Sequence, residues 1–163
     1  MSHTNIEIKA KCFHPEKVEA FLLSNGARFI GLDHQKDTYF NVPAGRLKLR
    51  QGNIENSLIF YHRPDQEGPK QSDFSLSPVS DGPATEQLLE KALGIKVIVE
   101  KYRKIFFIDN VKFHLDEVPG LGSFVEIEAG NLGEASKTID DLTVQCDYYM
   151  KALKIDEEIK DRS

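Results

Sequence analysis

The chain has 163 residues, 40% of them hydrophobic and 29% charged, with a formal net charge of −5. That length suits one domain with a substantial core, and the acidic balance argues against a general nucleic-acid binder, which carries a basic excess. Two cysteines far apart in the chain offer neither a zinc motif nor a disulfide framework. Without a basic-then-apolar leader or a run of about 20 apolar residues, the expected protein is soluble, cytoplasmic and off the membrane.

In chain order, the first element is "IEIKAK", residues 6–11. Extended, it turns Ile6, Ile8 and Ala10 to one face and Glu7, Lys9 and Lys11 to the other. A helix follows, opened by Pro15, striped by Val18, Phe21 and Leu22, and stopped by Gly26. The period then changes to two. Including the first, the candidate strands are 5–12, 27–34, 36–42, 46–51, 57–64, 72–77, 96–103, 105–109, 111–117 and 123–129. "PAG" at 43–45, "PDQEGP" at 64–69 and "IDN" at 108–110 supply turns, the last a hairpin. A second helix spans about Ala84 to Leu93, with Leu88, Leu89 and Leu93 apolar and Gly94 ending it. A third starts near Gly133 and buries Ile139, Leu142, Tyr149 and Leu153. The tail, 156–163, is charged. So many strands in one small domain must form a sandwich or close into a barrel.

The ionised face of the first strand recurs. "RLKLR" aligns Arg46, Lys48 and Arg50; "IFYHR" sets Tyr61 and Arg63 with Ile59; "VEKYR" aligns Lys101 with Arg103; "HLDE" aligns His114 with Asp116; "FVEIE" aligns Glu126 with Glu128. Any one such face is ordinarily the wet side of an antiparallel sheet. The set differs, because the signs segregate by strand, whereas a solvated sheet mixes them for cross-strand pairing. A polyanion such as a triphosphate relieves clustered Arg and Lys. A hard divalent cation takes carboxylate oxygens together with substrate phosphates. Glu7, Glu126 and Glu128 suit the metal; Lys9, Lys48, Arg50, Arg63, Lys101 and Arg103 suit the phosphates. The strands then turn their ionised faces inward and their apolar faces out, under the three helices. Among smaller candidates, "GLG" at 120–122 reads as a turn. Phe106 and Phe107 read as helix-packing core, Cys12 as a small buried hydrophobe, and Tyr61 as either wall packing or a ring that brackets a base.

The succession E-x-K, "DTYF", "RLKLR", "YHR", "KYR" and "HLDEVPGLGSFVEIE" resembles the CYTH superfamily, the triphosphate tunnel metalloenzymes, over roughly residues 4–155. It is most similar to the class IV adenylyl cyclase branch, whose relatives include thiamine and inorganic triphosphatases. The resemblance implies an α+β fold, a closed antiparallel β-barrel of about eight strands with flanking helices, in a single domain over 1–163. It implies Mg²⁺ or Mn²⁺ on Glu7, Glu126 and Glu128 with Asp116 nearby. Lys9, Lys48, Arg50, Arg63, Lys101 and Arg103 match the triphosphate lining, joined by Lys11, Arg46 and Lys70; Lys9, Lys101 and Arg103 are the expected catalytic cations. The expected activity is that of a lyase converting ATP to cyclic AMP and pyrophosphate. A triphosphatase acting on thiamine triphosphate or tripolyphosphate, and a non-catalytic polyphosphate- or nucleotide-binding module, are the alternatives. Relatives suggest a homodimer. One departure stands out: the family signature opens E-x-E-x-K, and here Asn5 replaces the first Glu, offering a carbonyl oxygen without the charge.

Overall fold

A strand with one apolar and one ionised face needs two different environments, and a barrel wrapped by helices supplies both. The computed structural model describes residues 2–62, 68–131 and 137–155. Its elements run β1 (Ser2–Lys11), α1 (Pro15–Ser24), β2 (Arg28–Phe40), β3 (Arg46–Gln51), β4 (Asn56–His62), β5 (Lys70–Pro78), α2 (Gly82–Leu93), β6 (Ile95–Ile108), β7 (Val111–Val118), β8 (Gly122–Gly130) and α3 (Ile139–Ala152). The strands close in the order β1-β5-β4-β3-β2-β6-β7-β8, every neighbouring pair antiparallel.

The ten candidate strands are eight. The candidates 27–34 and 36–42 merge into the single strand β2, which ends at Phe40, and 96–103 and 105–109 merge into β6, which ends at Ile108. These two pair along nearly their whole length, with register shifts between Phe29 and Gly31 and between Tyr39 and Phe40. Such irregularities bend a strand without ending it. The hairpin at "IDN" forms, with Asp109 at φ 51 in its turn. At the β2–β3 turn only glycine fits position 45: φ is 67, and a Cβ would lie 2.7 Å from the Phe60 ring.

Antiparallel order fixes which residues share a mouth. The first residues of β1 and β7 and the last of β3, β6 and β8 open at one end, here the acidic end. The last residue of β1 and the first of β3 open at the other, the basic end, placing Lys11 and Arg46 around it, whereas Lys70, the first residue of β5, pairs opposite Glu7.

The hydrophobic core lies outside the barrel. Ile6, Ile8 and Ala10 of β1, Val111, Phe113 and Leu115 of β7, and Val125, Ile127 and Ala129 of β8 pack under Val18 and Leu22 of α1 and Leu142 and Cys146 of α3. Two expectations change here. The second helix lies on β2 and β3 without contributing to the core: α2 has no buried residue, and Leu88 is 70% exposed. It is tethered by polar contacts from Glu86 to Lys36, Thr38 and Gln51. In the third helix Ile139 is exposed and Cys146 takes its expected place in the core. The expected start near Gly133 lies outside the described residues; α3 opens on Thr138, whose hydroxyl accepts from the Asp141 N–H in a reciprocal capping box.

Candidate active site

The inner faces of the strands enclose a cavity of about 520 Å³. On β1 and β8 the register sets Glu7 opposite Glu128 and Lys9 opposite Glu126, and on β7 His114 faces Glu126. One ligand atom each from His114, Glu126 and Glu128 lies within 4.8 Å of the other two. His114 is fully buried; burial first, then the charges of Arg103 and Lys112, push its pKa down to about 3. The neutral ring donates from Nδ1 to Glu126 Oε1 at 2.9 Å, and its buried Nε2 has no hydrogen-bond partner. Burial, together with the negative charges of Glu126 and Glu7, pushes Glu128 up to about 8.

This corner fits a divalent cation. Three carboxylates converge from adjacent strands, and burial together with the charges of Glu126 and Glu7 raises the pKa of Glu128, a repulsion that a cation would relieve. Asn5, two residues before Glu7, adds a buried Oδ1 without a hydrogen-bond partner. The donor set is oxygen-rich with one imidazole, as a hard or borderline divalent ion requires.

Across the bore stand the cations. Lys48 and Arg50 come from β3, Lys101 and Arg103 from β6, and β2 runs between them carrying Asp37. Asp37 is fully buried and binds the Arg50 fork at 2.9 and 2.8 Å, with Lys101 Nζ at 3.0 Å and Lys48 Nζ at 3.9 Å. Burial alone would raise its pKa; Arg50, then Lys48 and Lys101, override that and hold the carboxyl well below the usual range. The Lys101 pKa is lowered too, to about 7, but here burial and then repulsion from Arg103 favour the neutral form. Arg103 makes its own fork to Asp116, at 2.8 Å on both arms, and reaches Glu126 at 3.6 Å. It therefore links the basic wall to the acidic corner.

Lys9 lines the cavity with its ammonium 5.4 Å from the centre of the Phe124 ring. Lys11 and Arg46 lie at the basic mouth, Lys70 is the register partner of Glu7, and none of the three lines the cavity itself. Arg63 lies outside the described residues. Asp116, grouped by resemblance with the metal carboxylates, gives both oxygens to Arg103. Phe106 joins the outer core as expected, but Phe107 is in the opposite phase and lines the cavity.

Sequence reading missed Asp33 and Gln35, Glu55 and Lys112. "DHQKD" carries the signal, since Asp33, Gln35 and Asp37 alternate as strictly as the cations of β3, but dividing β2 at residue 35 hid it. Nothing local marks Glu55, which sits in a turn. The wall from β4 and β5 is different again: Ser57, Ile59, Tyr61, Ser72, Phe74 and Leu76 present no charge. The Tyr61 ring lies 5.2 Å from Lys48 Nζ.

Three comparisons bear on this arrangement. A family model described as the CYTH domain matches residues 3–149. A Methanocaldococcus jannaschii protein named a "putative adenylate cyclase" is 27% identical over 168 residues, covering 94% of this chain and 91% of that protein. Among solved structures, a Pyrococcus horikoshii protein superimposes with a TM-score of 0.75 at 22% identity, over 98% of this chain and 94% of the other. A Hippeastrum protein described as a "putative adenylyl cyclase" with a dominant triphosphatase activity gives 0.56 at 14% identity, over 91% and 87%. With the closed eight-stranded barrel and a family match across nearly its whole length, the chain belongs to the CYTH domain family.

Proposed function

We propose that this protein is a metal-dependent enzyme that takes a nucleoside triphosphate into the barrel and cyclises ATP to cyclic AMP and pyrophosphate. The observation that carries this reading is one enclosed cavity with a carboxylate corner on β1 and β8 and buried Arg and Lys across from it. Lys11 and Arg46 draw the polyanion to the basic mouth, although the protein as a whole is acidic. Inside, Lys9, Lys48, Arg50, Lys101 and Arg103 surround the phosphates. Asp37 and Asp116 hold the two guanidinium forks in place before substrate arrives, so little reorganisation is needed. Ile59, Phe74 and Leu76 offer apolar surface to an organic group, which inorganic tripolyphosphate would leave unused.

Glu7, Glu126 and Glu128 are the residues that would hold Mg²⁺ or Mn²⁺, with Asn5 and His114 beside them. When bound, such an ion polarises the phosphate and lowers the pKa of an adjacent hydroxyl. The ribose 3′-oxygen bonds to the α-phosphorus, the bond from that phosphorus to the α–β bridging oxygen breaks, and the hydroxyl proton passes to water. Arg50, Lys101 and Arg103 stabilise the charge that builds on the departing pyrophosphate, and no protein nucleophile is required.

A second reading puts water in place of the 3′-hydroxyl, giving a diphosphate and phosphate. The shared fold of the Hippeastrum protein, described as having dominant triphosphatase activity, favours keeping it. One experiment separates the two. ATP, thiamine triphosphate and tripolyphosphate are each incubated with Mg²⁺ or Mn²⁺ and the products resolved by chromatography. Cyclic AMP with pyrophosphate is the expected result, lost in Glu126→Gln and in Glu128→Gln. Diphosphate with phosphate would establish the hydrolase instead, and no turnover of any triphosphate would leave a binding module.

A further inference from the structure

The turn joining β3 to β4, residues 52–55, folds inward over β2. Asp33, fully buried, holds it there: Oδ1 accepts from the backbone N–H of Asn53 at 2.8 Å and Ile54 at 2.9 Å, and Oδ2 from that of Glu55 at 3.0 Å. Position 52 must be glycine for this contact, since a Cβ would lie 2.5 Å from Asp33 Oδ1. The His34 N–H donates to Asn53 Oδ1 at 2.7 Å and ties the turn down a second time. As a result the Glu55 carboxylate enters the bore. Oε1 accepts from Gln35 Nε2 at 3.0 Å and lies 3.4 Å from Arg50 Nη1, while Oε2 pairs with Lys112. Gln35 gives its amide hydrogens to Asp33 and Glu55 and leaves its own buried Oε1 without a partner, so its orientation serves the two carboxylates. Arg50 on β3 and Lys112 on β7 are separated by β2 and β6 in the strand order. Glu55 therefore reaches across the bore near the acidic end.

We propose that Glu55 is a specificity-determining residue that limits the length of the phosphate chain the barrel accepts. This rests on the triphosphate reading above. A chain entering at the basic mouth passes Lys48 and then reaches Arg50 and Lys101, in the order the residues follow along β3 and β6. The next phosphate would have to share Arg50 and Lys112 with a carboxylate that its turn does not let swing away. Like charges at that range repel strongly in a shielded site. On this proposal a triphosphate is accommodated up to Arg50, and a fourth phosphate would meet Glu55 beside it. Discrimination comes from the repulsive element rather than from a further attraction.

The test is calorimetric titration of inorganic tripolyphosphate and tetrapolyphosphate into metal-free protein in EDTA, for wild type, Glu55→Gln and Asp33→Asn. Wild type should bind the shorter chain about tenfold more tightly or better, and Glu55→Gln should bring the ratio close to one by tightening tetrapolyphosphate. Asp33→Asn, which loosens the turn and keeps the Glu55 charge, should shift the ratio in the same direction. It carries the test if Glu55→Gln fails to fold. A lost fold or general loosening would weaken both ligands together, so the ratio is the readout. Tight tripolyphosphate binding with an unchanged ratio in the variants would overturn the role of Glu55 alone. Wild type that binds neither chain would overturn the triphosphate reading and this inference with it.

Discussion

Asn5 shows how much one inward position decides. It stands two residues before Glu7 on β1, buried, with Oδ1 lacking a hydrogen-bond partner, where the family signature has a carboxylate. Asn5→Glu adds a negative charge beside the acidic corner, and a charge-assisted contact is worth about 1.5–3 kcal/mol, of which repulsion from Glu7 removes part. The expected result is a lower Mg²⁺ midpoint for triphosphate turnover with little change at saturating metal. An unchanged midpoint in the Mg²⁺ titration would place the side chain beyond reach of the ion. Lys101 makes a second residue-scale case. It faces Asp37, Arg50, Lys48 and Arg103, and burial followed by Arg103 sets its pKa near 7 against an ordinary 10.5. Between those values the unfolded chain binds more protons than the folded one, so this group's contribution to stability rises with pH across that window. A bound polyanion restores the charged form. Triphosphate binding at pH 8 should therefore take up a proton, approaching about one per site, and less towards pH 6. Calorimetry in buffers of different ionisation heat measures it; no uptake at pH 8 would show that the phosphates do not reach Lys101.

At the scale of elements, the three helices look alike as sequences and behave differently. Each has an apolar stripe at helical spacing, yet only α1 and α3 meet the apolar outer faces of β1, β7 and β8. The α2 stripe leaves Leu88 and Leu93 exposed and Leu89 only half-buried, and polar contacts from Glu86 help attach the helix. Leu142→Ala, at a fully buried site in α3, should cost about 2–5 kcal/mol in denaturant unfolding followed by circular dichroism. Leu88→Ala, 70% exposed in α2, should stay within about 0.5 kcal/mol. A large loss at Leu88 would mean that its surface is covered in solution. The strands were legible in a way the helices were not. A period of two allows only two phases, so placing one residue of β3 or β8 inward places them all. Helix burial depends on the partner surface, which the helix's own residues do not describe.

For the whole molecule, composition and alternation alone determined a single chain rich in antiparallel strands, with apolar and ionised faces kept apart. Those same patterns put Glu7, Lys48, Arg50, Lys101, Arg103, Glu126 and Glu128 on the ionised faces, and resemblance supplied the family. Only the closed barrel decided which charge answers which. Glu7 and Glu128 are 121 positions apart in the chain and adjacent in the sheet because β1 closes against β8. Asp37 and Asp116 each bind an arginine of a neighbouring strand, Arg50 and Arg103. Glu55 enters the bore because Asp33, together with the His34 N–H, holds its turn. Side-chain phase is a local property of a strand and can be read along the chain. Pairing across the bore depends on strand order and register, which are set by closing the sheet, and no local pattern encodes them.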